Sequence, residues 1–593
     1  MDNKIVLFVN TVKYLKPSQV FYRVRNRLNR ALYKKDFMRL KAPKKITVSV
    51  LSNYIIPEID YNKDYLDRFD IEAMFDNEFS FINLTNKIDL SIAWNNKNLQ
   101  HLWRYNLHYF EYLFKLSHSF LKEDKQIKYY EKFKEMVINW IDNNPYAYGD
   151  GWHPYTISLR LTNWISTYKV FEVMIKTDKD FKEVIEASLY LQYQYLQKNL
   201  EKDVLGNHYF ENIKGLIIGS VFFNEKKVKV RFEKELLKQL KEQILEDGMH
   251  FELSPMYHKI ILEDLIKITY WLKDEEIAEI LTFYLQKMIN VTYSFEEDFG
   301  KTPAFNDSAD GISKHYQTLI DACYIHFGLI PIEKSDFEIS GFYIIKDLNK
   351  KIIFDTGEIC PTYLPAHGHC DALSFELSLN GSPLIVNSGT YQYEGGYWRD
   401  YFRSTKAHNT ITISDKEQSQ CWGSFRVAKR IKQVTRSRFE YDNIQFYAGS
   451  YVSYNGHLHK RYIGYIDEDT IIVIDYVNSD PTDDAKSYLH FTPEAEVQIS
   501  EKVVYVIKDN EKIKITAIGT SVLDLEQGWY SEQFNYKKKN SHVFFQKENS
   551  TCFFGYVIDF SHRNYVILES QNGIRITGDF ELDINYEELG AML

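Results

Sequence analysis

The hydrophobic pattern of this chain changes once, near Pro331–Ser340, and that change limits the fold more than any other feature. From about residue 60 to about residue 325, apolar residues recur three and four positions apart, as on one face of an α-helix. After Ser340, the sequence consists of short runs that are rich in β-branched residues or alternate between apolar and polar residues, without helical segments between them. With 593 residues the chain is too long for one hydrophobic core. The pattern therefore predicts a helical domain and then a sheet domain, with the boundary near residue 335.

The helical part predicts one helix after another, separated by Pro, Gly and Asn. Helical hairpins in succession over this length are typical of a bundle, a solenoid or a toroid. The clearest predicted helices are Asn106–Leu121, Ile127–Asn143, Ser158–Ile175, Phe181–Asn199, Val230–Glu246 and Lys259–Lys273.

The second part predicts many short strands, which favour an antiparallel sandwich or barrel. Two runs, Tyr462–Ile466 and Ile471–Val477, flank a short acidic loop and predict a hairpin. Further predicted strands are Phe342–Ile345, Ile352–Phe354, Thr410–Ile413, Val503–Ile507 and Ile513–Ala517.

Charge and the first residues limit the partners of this chain. A formal net charge of −10 disfavours nucleic acid as a partner and requires a local basic patch for any polyanion. The apolar run Ile5–Val9 is too short for a signal-peptide core, which predicts the cytoplasm, with the periplasm or cell envelope as the alternative. No apolar run is long enough to insert stably in a membrane. The basic segment Tyr14–Arg30 predicts a solvated helix, with contact to a membrane surface as the alternative.

Four stretches concentrate histidine, other polar residues and glycine. One of them contains His367 and His369, which would point to the same face of a strand, as paired metal ligands or acid/base groups do. The four stretches are Gly206–Asn212, Asp247–His258, His367–Phe375 and Trp398–Thr410.

Together these stretches resemble the heparinase II/III family of polysaccharide lyases, which is similar in architecture to a group of alginate lyases. The resemblance covers about residues 95 to 560 and is strongest in GNHYFENIKGL, DGMHFELSPMYHKIILEDL, HGHCDALSFEL, LIVNSGTYQY and WRDYFRSTKAHNTI. It implies an incomplete (α/α) toroid followed by an antiparallel β-sandwich, with the substrate between them. The expected domains are a basic, irregular lead-in that packs on the toroid (1–60), the toroid (61–335) and the sandwich (336–593).

The resemblance also implies a reaction and its residues. Family members cleave 4-linked uronic acids by β-elimination, which needs a neutralised carboxylate, a base for the C5 proton and an acid for the leaving O4. Asn207 and His208 match the pair that binds the carboxylate. Tyr257 matches the acid, and also the base when both groups leave from one face of the sugar, whereas His367 matches the base for the opposite stereochemistry. With His408, these residues form the expected reacting centre. The expected partner is an acidic polysaccharide or oligosaccharide, and the products carry C4=C5 unsaturated ends.

Some relatives hold a structural zinc ion through two histidines and an aspartate. The matching positions here are His369, His408 and Asn387. A neutral amide is a poorer zinc ligand than a carboxylate, and Asp371 is the alternative third ligand. We therefore expect a reaction that requires no cofactor, with zinc as a structural ion if it binds.

Weaker resemblance to the family is found in WRYNLHYFEYL and GWHPYTISLRLTNWI. Aromatic and cationic residues of these two stretches, and two arginines of WRDYFRSTKAHNTI, are candidates for binding the glycan, because rings stack on sugars and guanidinium groups pair with carboxylates. Trp residues of a toroid core and an Arg399–Asp400 ion pair are the structural alternatives. The predicted substrate-binding residues are Trp103, Arg104, His108, Trp152, His153, Arg160, Arg399 and Arg403.

Three other functions stay open at this point. A uronosyl C5-epimerase of surface-polysaccharide metabolism would abstract the same proton but return it to the other face without cleavage. A glycoside hydrolase needs paired carboxylates, for which Glu211, Glu252 and Asp371 are the candidates. A non-catalytic glycan-binding protein would retain binding without turnover.

Overall fold

A computed structural model describes residues 4–34, 40–49, 54–91, 93–480, 482–548 and 551–593. Helices come first and strands second, as the sequence predicts. The last helix before the sheets ends at Phe327, and the first strand of the sheets begins at Asp336. The helices of the first part are α1 Lys4–Val12, α2 Pro17–Lys34, α3 Pro57–Asp60, α4 Lys63–Leu66, α5 Ile71–Phe75, α6 His101–Tyr109, α7 Leu113–Lys122, α8 Ile127–Asn143, α9 Pro154–Val170, α10 Glu172–Thr177, α11 Lys179–Lys198, α12 Gly206–Phe222, α13 Lys226–Gln243, α14 Pro255–Trp271, α15 Ala278–Glu296 and α16 Tyr316–Phe327, with the hairpin β1 Glu78–Phe81 and β2 Leu84–Lys87 between α5 and α6.

The helices form an incomplete (α/α) toroid. Helices α6, α9, α12 and α14 contact one another in chain order and form an inner layer, and α8, α11, α13 and α15 pack outside them. The inner helices α9, α12 and α14 are buried on most sides, whereas α13 buries only one stripe of residues. The inner layer therefore surrounds the space in which a substrate can be held.

Tertiary packing divides two of the predicted helices. The predicted helix Asn106–Leu121 is interrupted because Phe110 adopts a left-handed conformation with φ 62° between α6 and α7. There its buried ring stacks on Trp94 and meets the edge of Trp164. The predicted helix Ser158–Ile175 is likewise divided at Phe171, between α9 and α10. In both places a buried ring fixes a bend that the apolar spacing alone does not reveal.

The second part consists of antiparallel sheets. The strands are β3 Asp336–Phe337, β4 Phe342–Asp347, β5 Lys350–Asp355, β6 Phe375–Leu379, β7 Ser382–Ile385, β8 Ile411–Ile413, β9 Cys421–Trp422, β10 Arg426–Val427, β11 Lys432–Tyr441, β12 Ile444–Val452, β13 Leu458–Asp467, β14 Thr470–Asn478, β15 Asp484–His490, β16 Glu496–Ser500, β17 Val503–Lys508, β18 Glu511–Ile518, β19 Val522–Gln533, β20 Tyr536–Glu548, β21 Thr551–Asp559, β22 Tyr565–Glu569, β23 Gly573–Gly578 and β24 Leu582–Asn585, with helices α17 Tyr397–Arg403 and α18 Tyr586–Ala591. A five-stranded sheet (β3 to β7), an eight-stranded sheet (β11-β12-β13-β14-β21-β18-β17-β16) and a four-stranded sheet (β19-β20-β15-β8) share one apolar core, as in a sandwich. The predicted hairpin is β13–β14, which turns at Asp467 and Thr470.

The lead-in differs from the expected irregular segment, because α1 and α2 make it largely helical up to Lys34. It also contacts both parts of the chain, not the toroid alone. Asn26 donates to Asp203 of the toroid at 2.7 Å. Thr11 accepts a hydrogen bond from the indole nitrogen of Trp422, beyond the helices. Within the described residues, no helix is long and apolar enough to span a membrane.

Candidate active site

A cavity of about 890 Å³ lies where the toroid meets the sheets. Its toroid side carries residues of α6, α9, α12 and α14. Of the predicted site residues, the lining includes His153, Asn207, His208, Tyr257 and His367, which come from four distant stretches of sequence. The sheet part adds Tyr393, Phe425 and Phe534, so the wall is rich in aromatic rings.

The first turn of α12 positions Asn207. Leu205 and Gly206 both have positive φ, 69° and 55°, immediately before it. A Cβ at Gly206 would lie 2.1 Å from Oε1 of Glu252, so only glycine lets the backbone approach that carboxylate. Asn207 donates to Glu252 from its backbone nitrogen at 3.1 Å and from Nδ2 at 3.0 Å. Its Nδ2 also lies 3.5 Å from Nε2 of His367.

His208 follows on the same turn and is paired with a buried carboxylate. Its Nδ1 lies 2.9 Å from Oε1 of Glu201, which is 3% exposed. Burial by itself lowers the pKa of His208, but the charge and hydrogen bond of Glu201 outweigh it, and the net pKa is raised. Glu201 therefore favours the cationic form of His208 beside the cavity, where it can attract an anionic group.

Tyr257 projects from the first turn of α14. Ser254 caps this helix by accepting from the backbone nitrogen of Tyr257, and Pro255 occupies the first helical position. The ring centroids of Tyr257 and His367 are 4.0 Å apart. The hydroxyl oxygen of Tyr257 lies 3.0 Å from that of Tyr393. Burial raises the pKa of Tyr257, so its phenol is a neutral proton donor near neutral pH.

The His-x-His pair does not lie on a strand, contrary to the prediction, because residues 361–374 form turns and irregular structure. Both rings nevertheless reach one carboxylate. Asp307 lies 2.9 Å from Nδ1 of His367 and 2.9 Å from Nε2 of His369. Because Nδ1 of His367 donates to Asp307, its Nε2 faces Asn207 and the cavity, where it can exchange a proton.

Asp307 is fully buried and is also paired with Arg399 through two hydrogen bonds. Burial by itself raises the pKa of Asp307, but Arg399 and the two histidines outweigh it and hold the pKa well below its usual range. The carboxylate therefore keeps its charge and fixes the orientation of His367.

Arg399 and Arg403 are not in the cavity wall, contrary to the prediction. Both are 1% exposed, and Arg399 pairs with Asp307, not with the neighbouring Asp400. Arg403 donates to the backbone oxygen of Gly368 from two nitrogens, at 3.1 and 2.9 Å. These guanidinium groups position the loop that carries His367.

Five predicted substrate-binding residues of the toroid also lie outside the cavity, because each is buried against a protein partner. The indole nitrogens of Trp103 and Trp152 donate to backbone oxygens. Arg104 pairs with Asp150, while His108 lies between a backbone oxygen and the Trp140 indole. Arg160 donates to Gln192, to Gly151 and to the backbone oxygen of His108. These residues hold the toroid together, and His153 alone of the six predicted there lines the cavity.

The predicted zinc position meets only part of what zinc needs. His408 is fully buried outside the cavity wall, and neither of its ring nitrogens has a hydrogen-bond partner in the described structure; Nδ1 of His369 has none either. Asn387, however, uses its amide to accept from Asn409 and donate to Ser374. Among the described residues, the only three His, Cys, Asp or Glu side chains close enough to share an ion are His457, Asp480 and Asp483, in loops of the second part. Asp371, the alternative third ligand, therefore does not group with His369 and His408, and two imidazoles alone do not fit a three-ligand zinc site.

Sequence reasoning missed four residues of this site. Tyr393 lies in the LIVNSGTYQY block and could have been chosen for its hydroxyl. Glu252 was considered only as a hydrolase carboxylate, although it binds Asn207. Asp307 and Glu201 lie outside the four polar stretches, and no local signal marks them as partners of histidines.

The chain matches two family models, "Heparinase II/III N-terminus" over residues 21–325 and "Heparinase II/III-like, C-terminal" over residues 331–572. It therefore belongs to the heparinase II/III family, as the sequence blocks predict. A curated relative, the heparin-sulfate lyase of Bacteroides stercoris, is 23% identical over 482 residues, which cover 70% of this chain and 69% of the relative. The heparin-sulfate lyase of Pedobacter heparinus is 22% identical over 469 residues, with 71% and 68% covered.

Solved structures agree on the fold. A crystal structure of heparinase III has a TM-score of 0.69 at 16% identity and covers 96% of this chain and 97% of its own. A heparan sulfate lyase from Pedobacter heparinus has a TM-score of 0.62 at 17% identity, with 96% and 95% covered. The fold class is confirmed, and the curated relatives support the predicted enzyme class, a polysaccharide lyase.

Proposed function

We propose that this polysaccharide lyase cleaves a 4-linked, uronic-acid-containing polysaccharide by β-elimination. One observation carries the proposal: Asn207, His208, Tyr257 and His367 converge on a single cavity between the two parts of the chain. They supply the three functions that the elimination needs, namely a carboxylate-binding group, a base and an acid.

Neutralising the uronate carboxylate is the first requirement, because the C5 proton is otherwise too weakly acidic to remove. His208, kept cationic by Glu201, is the group that pairs with the carboxylate. The Asn207 amide, oriented by Glu252, supplies a second donor. Charge that develops on the carboxylate during proton removal is thereby stabilised where it forms.

His367 and Tyr257 divide the proton transfers. Nε2 of His367 takes the C5 proton, since Nδ1 is already bound to Asp307. The neutral phenol of Tyr257 gives its proton to O4 as the bond to the leaving sugar breaks. Tyr393, 3.0 Å away, hydrogen-bonds the Tyr257 hydroxyl and holds it in place.

The charges around the cavity favour a substrate with little or no sulfate. Among the described lining residues are seven Asp and Glu side chains but only three Lys and Arg side chains. Lys214 is already bound between Glu211 and Asp264, and Lys267 is paired with Glu263. The third cation, Arg68, donates to the backbone oxygens of Tyr65 and Gly311. Sulfate groups would therefore meet a mostly negative lining with few cations to bind them.

Ultraviolet absorbance of the C4=C5 product tests the proposal on three purified polymers: an unsulfated glucuronate polymer, heparan sulfate and alginate. We expect the unsulfated polymer to be cleaved fastest and highly sulfated chains at least about tenfold more slowly. No absorbance increase on any polymer, with deuterium from solvent incorporated at C5, would instead assign the site to an epimerase. Binding without either reaction would assign it to a glycan-binding protein.

The Glu201–His208 pair predicts a specific pH dependence. Glu201→Gln removes the negative charge that raises the pKa of His208. Burial, which lowers that pKa, remains, so the pKa of His208 falls. The loss of kcat/KM as pH rises should then begin at lower pH, with a decrease of up to about tenfold at neutral pH for each unit of pKa lost. The Glu201–His208 pair also contributes to the free energy of unfolding. This contribution is fully present at pH values below the ordinary histidine pKa and is lost as the pH rises through the raised pKa of His208.

The matched control for this prediction is Glu235→Gln. Glu235 accepts from Tyr209 on the same helix α12 but does not line the cavity. Its pH–rate profile should overlay that of the unchanged protein. An unchanged profile for Glu201→Gln would exclude cationic His208 from the reaction.

A further inference from the structure

Helices α1 and α2 expose an apolar surface, which we call the outer face. It comprises eight large apolar side chains that are between 44% and 70% exposed, far more than core residues of the protein. The outer face consists of Ile5, Val6, Phe8, Val9, Val20, Phe21, Val24 and Leu28. An exposed apolar patch of this kind marks an interaction surface.

Helix α2 turns polar residues toward the protein and apolar residues toward solvent, which is the reverse of an ordinary surface helix. Its polar residues Gln19 and Asn26 are 1% and 6% exposed and face the protein. Gln19 donates to the backbone oxygen of Tyr363, and Asn26 donates to Asp203. Because these polar contacts fix the inner side, the apolar residues of α2 are directed to solvent by structure and not by disorder.

Charge indicates what the outer face binds. From Lys4 to Lys34 the sequence contains eight Lys and Arg residues and no Asp or Glu, although the whole chain carries a net charge of −10. Arg25 and Arg27 are exposed next to the apolar residues of α2. An apolar stripe bordered by cations matches the boundary between headgroups and acyl chains of an anionic bilayer.

A second copy of this chain fits the outer face less well. Two-fold pairing would place the same surface of each copy together, so cations would oppose cations with no carboxylate of α1 or α2 to pair with them. We therefore propose that α1 and α2 dock the protein peripherally on an anionic lipid surface. The apolar residues enter the interface, and the arginines contact lipid phosphates.

The contacts of these helices place the cavity close to that lipid surface. Asp203 and Tyr363, which hold α2, are each followed by a residue that lines the cavity, Val204 and Leu364. Trp422, which donates to Thr11 of α1, lies two residues before the lining residue Ser424. The docked enzyme would thus meet glycans at a membrane surface, whichever reaction the cavity performs.

Co-sedimentation of the full chain with vesicles tests this proposal. We expect binding to phosphatidylcholine vesicles that contain phosphatidylglycerol, weak binding to pure phosphatidylcholine, and release as salt increases. Arg25→Ser/Arg27→Ser should lower the partition coefficient by roughly 25-fold, about fivefold for each arginine. Phe8→Ser/Phe21→Ser should abolish detectable binding by removing the two largest inserted side chains.

Matched controls distinguish binding through the outer face from nonspecific hydrophobic or electrostatic binding to vesicles. Val173→Ser and Lys226→Ser/Lys227→Ser change an exposed apolar residue and two exposed lysines elsewhere, and both should bind like the unchanged protein. Thermal unfolding and turnover of a soluble oligosaccharide should be unaffected in all four variants. Equal binding to neutral and anionic vesicles, no binding at low salt, or a dimer that the Phe8→Ser/Phe21→Ser variant disrupts would overturn the proposal.

Discussion

Tyr257→Phe should lower the elimination rate by at least about 10³-fold while leaving the fold intact. Only the hydroxyl is removed, and its single described hydrogen bond is to Tyr393. The ring still packs at 4.0 Å against His367, so little stability is lost. Without the phenol, O4 must leave unprotonated, which removes the acid from the transition state. Initial rates of ultraviolet absorbance, measured on the best polymer, give this value directly.

Two further variants make the result specific. Tyr209→Phe removes a hydroxyl that donates to Glu235 away from the cavity, and should retain full activity. Tyr393→Phe leaves the acid in place but removes its partner, so we expect an intermediate loss. If Tyr257→Phe keeps more than a tenth of the rate, the acid is another group, and His367 is the next to test.

Asp307→Asn should damage both stability and turnover, because it leaves the buried guanidinium of Arg399 without its carboxylate. Breaking a buried ion pair from one side costs about 3–5 kcal/mol in the free energy of unfolding. The His367 ring also loses the acceptor that directs Nε2 to the cavity, so kcat should fall by about 10²-fold or more. Urea unfolding and the absorbance assay measure the two effects separately.

Asp371→Asn is the control for Asp307→Asn. Asp371 is also buried, but burial raises its pKa to about 6. Its charged form is therefore poorly stabilised, and the neutral amide should cost much less stability than at Asp307. The double variant Asp307→Asn/Arg399→Gln should recover part of the lost stability, since no unpaired charge remains. Equal losses at Asp307 and Asp371 would contradict the assigned role of the ion pair.

Sequence predicted those parts of the fold that depend on local periodicity. Helix α8 begins and ends where the apolar spacing places it, at Ile127 and Asn143. The break at Phe110 was not predictable, because it depends on rings of Trp94 and Trp164 that are distant along the chain. Local patterns report the period of an element, whereas its interruptions follow from packing.

The same distinction applies to the site. Residues such as His208 and Tyr257 could be found because they lie in dense polar stretches that resemble a family. Asp307 could not, since its partners His367 and Arg399 are 60 and 92 positions away. Trp103 and Arg160 were assigned to the substrate because their types suit sugars, but the same types also fill a toroid core, where a buried indole or guanidinium binds backbone oxygens.

The anchoring of the first two helices has a consequence for biosynthesis. Helices α1 and α2 are translated before their partners Asp203, Tyr363 and Trp422. Until those residues have been translated, the contacts that hold the polar side of α2 against the protein cannot form. The apolar and basic residues of α1 and α2 are therefore accessible to a bilayer or a chaperone before the cavity between the toroid and the sheets has been made.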